Sequence, residues 1–361
     1  MAIGLVAIYR SGGLSKPHNL HVTTLHQLLL LHLYVQNNAT MKYKLFILLV
    51  PCLLVLNLVS AQPVKTYGQL QVKGQQLCDK KGKPVVLRGM SFGWHNFWPR
   101  FYNRGAVSWL RKDWDCSVVR AAMGVEPNRG YKQDPKGSVE KVKAVVDGAI
   151  KEGIYVIIDW HSHNINLEEA KAFFAQMASE YGKYPNIIYE IFNEPDHESW
   201  NDVKAYSTEV IKVIRKYDAK NIILVGSPHW DQDIHVAADS PLVGFNNLMY
   251  TMHFYAATHK QQLRDRCDYA LKKGLPIFIS ESAGMEATGD GPLNETEWTR
   301  WIEWAEQNKV SWVTWSVSDK NETCSVLLPT ANSNGNWTDK DMKESGIKTR
   351  ALIRKYNKGV K

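Results

Sequence analysis

Eight short apolar runs rich in β-branched residues recur along the chain, at 84–90, 117–121, 155–160, 186–192, 222–226, 248–254, 276–280 and 311–315. Within each run both sets of alternating positions are largely apolar, the pattern of strands covered on both faces in a parallel sheet. The segments between them carry helical stripes. Val142, Val145, Val146, Ala149 and Ile150 precede Gly153; Ala170, Phe173, Phe174, Met177 and Tyr181 precede Gly182; Leu263, Cys267, Ala270 and Leu271 precede Gly274. Apolar residues at i, i+3 and i+4 closed by a left-handed glycine predict helices lying on a sheet. Eight strand–helix alternations predict one closed (β/α)8 TIM barrel. A doubly wound open sheet is disfavoured, because no glycine-rich phosphate loop follows the first strand.

The amino-terminal 61 residues do not belong to this pattern. Met41 is followed by Lys42 and Lys44, an apolar stretch over 45–59, and Ser60-Ala61-Gln62. A charged start, a short apolar core and a small-residue cleavage site predict a signal peptide at 41–61, too short for a spanning helix of about 20 residues. Residues 1–40 hold no acidic residue and no domain pattern, and read as an extension upstream of the true start. The barrel is therefore expected over 62–361, in a secreted, extracellular, monomeric protein without a membrane span. Removing the leader takes away Arg10, Lys16, Lys42 and Lys44, so the net charge falls from +8 to (44 − 4) − 36 = +4. So mild an excess, spread along the chain, excludes a nucleic-acid-binding stripe. Four cysteines remain, Cys78, Cys116, Cys267 and Cys324. Secretion and an even count suggest disulfides, and Cys78–Cys116 is the pairing expected, with both residues at the barrel bottom. Without a CxxC pattern a structural zinc site is not expected.

In a β/α barrel the working face is the carboxyl end of the strands. The strand ends read Arg88, His161, Asn193-Glu194, His253 with Tyr255, Glu281, and Trp315. Glu194 and Glu281 close the fourth and seventh runs and should face each other across the barrel mouth. Two opposed carboxyl groups are what glycosidic cleavage needs, one to protonate the leaving oxygen and one to attack the anomeric carbon. Trp301 and Trp304, at helical spacing, are expected in the packing, whereas Trp230 and Trp337 are candidates for sugar stacking.

The segments Val86-Leu87-Arg88-Gly89-Met90-Ser91, Ile157-Ile158-Asp159-Trp160-His161, Ile191-Phe192-Asn193-Glu194-Pro195, Met252-His253-Phe254-Tyr255 and Trp315-Ser316-Val317-Ser318-Asp319-Lys320 resemble glycoside hydrolase family 5, in its endo-β-1,4-glucanase (cellulase) branch of bacteria and invertebrates. The resemblance runs from about residue 67 to 356. It implies Glu194 as general acid/base and Glu281 as nucleophile of a retaining hydrolysis of cellulose or β-glucan, with no cofactor and no metal. It implies Asn193 on the sugar 2-hydroxyl, Tyr255 and Arg88 beside Glu281, and His161 and His253 on substrate hydroxyls or the carboxylates. Trp315 would floor the cleavage point, and Lys320 and Glu322 would serve an outer subsite. Ser282 stands where the family usually has an aromatic, and Gly93 and Phe97 where bacterial members carry His and Trp; His95 and Trp98 are expected to compensate. A glycosylation sequon at Asn321 overlaps the Lys320–Glu322 subsite.

Three other readings stand beside this one. β-Mannanase or another β-glycanase shares barrel and catalytic pair. A metal-dependent hydrolase would use His161, His163, His253 and Asp319. A non-catalytic sugar-binding protein would keep the aromatics without two opposed carboxylates.

Overall fold

The computed structural model describes residues 62–358; the leader at 41–61 and the segment before it lie outside these residues. A hairpin of β1 (Gln71–Lys73) and β2 (Gln76–Cys78) precedes eight parallel strands. These are β3 (Arg88–Phe92), β4 (Val118–Gly124), β5 (Tyr155–His161), β6 (Ile187–Glu190), β7 (Ile222–Val225), β8 (Leu248–Tyr255), β9 (Ile277–Ala283) and β10 (Ser311–Val317). β10 pairs with β3 and closes the barrel, so the expected (β/α)8 architecture is present. Among the described residues no helix is long and apolar enough to cross a membrane.

Strand alternation divides the side chains between two apolar compartments. Val118, Tyr155, Ile157, Ile188, Ile222, Leu224, Met249, Phe278 and Val313 point into the barrel and plug its lower half. Leu70, Leu77, Val85 and Leu87 join this plug, so the hairpin and the chain entering β3 seal the bottom. The opposite faces pack against the helices in a second, larger cluster that includes Met90, Phe92, Val119 and Trp301. Trp301 lies flat on Phe254, ring centroids 4.4 Å apart, and Trp304 donates its indole N–H to Asp268, so both are packing residues.

The helix Pro135–Glu152 ends on Gly153 at φ 70°, and Gln261–Lys272 is followed by Gly274 at φ 87°, as the stop signals predict. Gly182 differs. It closes Leu167–Tyr181 with φ −58°, an ordinary right-handed value. Its glycine is explained by space instead, since a Cβ there would stand 2.5 Å from the Ala178 carbonyl oxygen and 2.8 Å from the Asp218 Cβ.

Two expectations at the barrel bottom are corrected. Cys78 and Cys116 do not form a bridge; all four cysteines of the described chain are buried free thiols. Cys116 is packed in the cluster outside the barrel, while Cys78 sits on the hairpin with its thiol on the Gln76 carbonyl. Arg88 was placed at the end of the first strand, but β3 begins there, and Arg88 has the outward parity of Met90 and Phe92. Its guanidinium forms a two-pronged pair with Glu306, at 2.6 and 2.5 Å, and donates to Asn357 at 3.0 Å. It is a clamp between the barrel and its outer helices.

One irregularity prepares the working face. Against β8, Thr251 pairs with Phe278 but His253 pairs with Glu281, so β9 holds one residue more than its partner over this stretch. With Phe278 inward, strict alternation would bring Ser280 inward and turn Glu281 outward. The bulge lets both face the barrel interior.

Arg88→Met should destabilise the fold by on the order of 3 kcal/mol, because it strands the mostly buried Glu306 carboxylate. Urea unfolding measures this; a midpoint unchanged from wild type would show that the clamp contributes nothing.

Candidate active site

Above the apolar plug the barrel interior turns ionic. Arg120 on β4, Asp159 on β5 and Glu190 on β6 are all fully buried and follow the inward parity of Val118, Ile157 and Ile188. The Arg120 guanidinium donates from Nε to Glu190 at 2.6 Å, from Nη1 to Glu281 at 2.9 Å and from Nη2 to Asn193 Oδ1 at 2.7 Å; Nη2 also stands 3.0 Å from Asp159. Burial opposes its charge, but Asp159, Glu190 and Glu281 outweigh burial and hold the cation. Arg120 supplies the charge beside Glu281 that was expected of Arg88.

The two glutamates are held by different partners. Glu281 receives the Tyr255 hydroxyl on Oε1 at 2.7 Å and Arg120 on Oε2. Glu194 receives His253 Nδ1 on Oε1 at 2.8 Å, with His163 Nδ1 at 3.8 Å from Oε2. Beyond the end of β6, Asn193 N–H donates to the Trp160 carbonyl and Glu194 N–H to that of Ser162, which aims both side chains at the mouth. Oxygens of the two carboxylates and a nitrogen of His253 all lie within 4.8 Å of one another.

Desolvation pushes every group here toward neutrality, and the partners decide which ones yield. Burial raises Glu281, as does the neighbouring Glu194; His253, Arg120 and the Tyr255 hydroxyl pull the other way without cancelling this. Glu194 is lowered, because the hydrogen bond and charge of His253 outweigh burial. His253 is held well above the usual histidine value: burial opposes its charge, and Asp231, Glu190, Glu194 and Glu281 more than restore it. His161 is kept neutral by burial and by Arg120, while its Nδ1 stands 2.7 Å from Asp159.

The mouth opens into a cleft with two lobes that meet at Glu194 and Tyr255. One lobe, of about 340 Å³, is lined by Trp94, Phe97, Trp98, His161, His163, Glu281, Trp315, Lys320 and Glu322. Trp315 stacks on His161 with centroids 5.2 Å apart and planes 3° from parallel. Lys320 and Glu322 form an ion pair, and Asn321 between them is exposed. The other lobe, of about 570 Å³, is lined by Trp230, Gln232, His253, Thr258 and His259. Trp230 is 42% exposed and presents a free aromatic surface.

Of the residues expected at the site, Glu194, Glu281, His161, His253, Tyr255, Trp315, Lys320, Glu322 and Trp230 line the cleft. Asn193 stands just beneath, its buried Nδ2 without a partner. Three candidates do not join them. Arg88 is at the barrel bottom. Trp337 is fully buried against Phe101 and Trp114, its indole N–H on the Asn332 carbonyl. His95 bridges Ser138 and the Gly124 amide. Ser282 is buried, its hydroxyl on the Val313 carbonyl. Arg120, Asp159 and Glu190 were missed, although an ionisable residue in the middle of a two-sided apolar run is itself a signal, since buried charge must be paired; Asp231, in the turn after β7, carried no such signal.

The donor set does not suit a metal. Both His253 nitrogens are engaged, by Glu194 and by Ser280 Oγ at 2.9 Å, and both Glu281 oxygens accept hydrogen bonds. His161 faces Asp159, and Asp319 is paired with Arg100, so His161, His163, His253 and Asp319 do not gather into one ligand set.

Comparison with known proteins places this cleft in a family. Residues 78–321 match the family model "Cellulase (glycosyl hydrolase family 5)". An endoglucanase of Clostridium saccharobutylicum is 43% identical over 287 residues, 78% of this chain and 64% of the relative. Endoglucanase A of Evansella cellulosilytica is 45% identical over 281 residues, 76% of this chain and 57% of the relative. The chain thus spans about three fifths of the length of these curated relatives. A solved structure from Cytophaga hutchinsonii superposes with a TM-score of 0.81 at 44% identity, covering 83% of this chain and 98% of that one. The catalytic domain of a Thermobifida fusca endoglucanase, solved in complex with cellotetraose, gives 0.77 at 32% identity, covering 81% and 99%. With its barrel, its cleft and this match over residues 78–321, the chain belongs to the cellulase family, glycosyl hydrolase family 5.

Proposed function

We propose that the protein is a secreted endo-β-1,4-glucanase that hydrolyses internal bonds of cellulose or β-glucan with retention of configuration. The observation that carries this reading is the pair Glu194 and Glu281, with oxygens within 4.8 Å at the junction of two cleft lobes. An inverting pair must leave room for a water and stands roughly 6.5–9.5 Å apart, whereas a nucleophile must reach the sugar directly. The cellotetraose held by the Thermobifida fusca relative supports a β-1,4-glucan as the substrate.

Each step has its residues. Arg120 and the Tyr255 hydroxyl orient Glu281, whose carboxylate oxygen attacks the anomeric carbon as the glycosidic C–O bond breaks. The leaving oxygen takes its proton from Glu194. In the free site His253 Nδ1 stands 2.8 Å from Glu194 Oε1, so the pair can hold that proton between them until it is delivered. The orphaned Asn193 Nδ2 is placed to donate to the sugar 2-hydroxyl, a contact that strengthens as positive charge develops on the ring. Glu194 then draws a proton from water, whose oxygen attacks the same carbon and frees Glu281. Trp315 offers an apolar floor in the lobe holding Glu281, and Trp230 a second platform in the opposite lobe, where the departing chain would lie.

Glu194→Gln and Glu281→Gln should each leave less than a few per cent of wild-type hydrolysis of a cello-oligosaccharide, with unchanged thermal unfolding. Proton NMR of the wild-type reaction should show the β-anomer first; an initial α-anomer would make Glu281 a base rather than a nucleophile. Comparing carboxymethylcellulose, mannan and xylan decides the polymer, and a preference for mannan would replace glucanase by mannanase.

Because burial raises Glu281, protonation should remove the nucleophile at a higher pH than for an ordinary glutamate. The acid limb of kcat/KM should therefore fall above the free value of about 4.3. Tyr255→Phe deletes a donor to the ionised form and should move that limb further up. A limb at or below pH 4 in the wild type would contradict this.

Export rests on the leader pattern of residues 41–61. Amino-terminal sequencing of protein recovered from the medium should begin at Gln62; intact protein retained in the cell would argue against export.

A further inference from the structure

Directly behind His253 lies a carboxylate with no part in the chemistry above. Asp231 is fully buried and is not among the residues lining the cleft, although its neighbours Trp230 and Gln232 are. Its Oδ1 accepts the Ser227 amide at 2.5 Å and its Oδ2 the Thr251 hydroxyl at 2.7 Å. The same Oδ2 stands 3.4 Å from His253 Nε2, while the opposite nitrogen of that ring is on Glu194. His229, Trp230 and Asp231 all have φ between 54° and 61°, a run that side-chain-bearing residues avoid. The turn that presents Trp230 to the cleft therefore also drives the next side chain inward, onto the histidine.

We propose that Asp231 is a positioning residue whose carboxylate, acting through His253, keeps the proton of the Glu194–His253 pair in place to higher pH than the pair alone would hold it. This rests on the assignment of Glu194 as acid/base. The argument is electrostatic and does not depend on which member of the pair carries the proton. With its proton the pair is neutral overall; without it the pair carries one negative charge. A buried carboxylate beside the ring opposes the second state, because little water is present to screen it. Burial pushes Asp231 itself up to about 8, so its negative charge is present on the alkaline side, where the pair would lose its proton, and Asp231 heads the groups that hold His253 above its usual value. The other groups around His253 are Glu190 on β6, Glu281 on β9, Asp159 and His161 on β5, Arg120 on β4 and His259 after β8. None of these residues is altered by a change at position 231.

The test is the pH dependence of kcat/KM for cellotetraose in wild type and Asp231→Asn, which keeps the shape and removes the charge. The alkaline limb should move down by one unit or more, about a tenfold weaker hold on the proton. With a 2,4-dinitrophenyl β-cellobioside, whose leaving group needs no proton, the two proteins should show no such difference between their limbs. Trp230→Ala should raise KM and leave the limb in place. A folded Asp231→Asn protein with an unmoved limb overturns the proposal, as does an equal shift on the dinitrophenyl substrate or a shift in Trp230→Ala. If Asp231→Asn does not fold, Thr251→Val, which removes a donor to the carboxylate, should move the limb in the same direction by less; no movement overturns the proposal. A wild-type protein inactive on every β-glucan at every pH would instead overturn the glucanase reading on which it rests.

Discussion

One guanidinium organises the upper barrel. Arg120 is a single cation, fully buried, shared among Asp159, Glu190 and Glu281 and anchored to Asn193. Three carboxylates around one positive charge cannot all be neutralised by it, and in a dry interior the remainder must be met by protons or by other donors. That constraint explains why Asp159 and Glu281 are raised while Glu190, with two hydrogen bonds from the arginine, is lowered. Glu190 and Glu281 also add to Asp231 and Glu194 in holding His253 above its usual value in so buried a place. Removing Arg120 would take the shared donor from three buried carboxyl groups at once, so its contribution to structure and its contribution to chemistry are inseparable.

The same distribution of charge gives the two glutamates different characters although both end a barrel strand. Glu281 is gripped from both sides by groups on rigid strands, Arg120 on β4 and Tyr255 on β8. Glu194 is bound on one oxygen by a histidine and borders both lobes of the cleft. A fixed carboxylate suits attack at one point in space. A carboxylate with a proton-carrying neighbour and access to either lobe suits giving a proton to one partner and taking one from another.

Much of this was legible in the sequence. Two-sided apolar runs located all eight barrel strands, and the carboxyl-end rule selected both glutamates, His161, His253, Tyr255 and Trp315. The failures share one cause. Reading the runs as uniformly apolar hid Arg120, Asp159 and Glu190, and a first run begun at residue 84 put Arg88 at the wrong end of β3. Parity would have corrected both, since Leu87 and Val118 point inward and so exclude Arg88 and admit Arg120. Parity alone would nonetheless have turned Glu281 outward, because the extra residue in β9 leaves no mark in composition. Trp337 and the cysteines were misjudged because burial in the outer cluster depends on distant partners such as Phe101 and Trp114.

The bulge in β9 has a consequence for how this chain tolerates change. Ser280 and Glu281 both face the barrel interior because β9 holds one residue more than β8 over this stretch, and far less because of what those residues are. Ile279 is therefore open to replacement by another apolar residue of similar volume. Loss of either residue between Phe278 and Glu281 would restore regular pairing and leave the carboxylate facing inward, two positions from Phe278, but the inward Ser280 hydroxyl that meets His253 would be gone. The extra residue is what lets one strand deliver two adjacent polar side chains, a hydroxyl and a carboxylate, to the same interior.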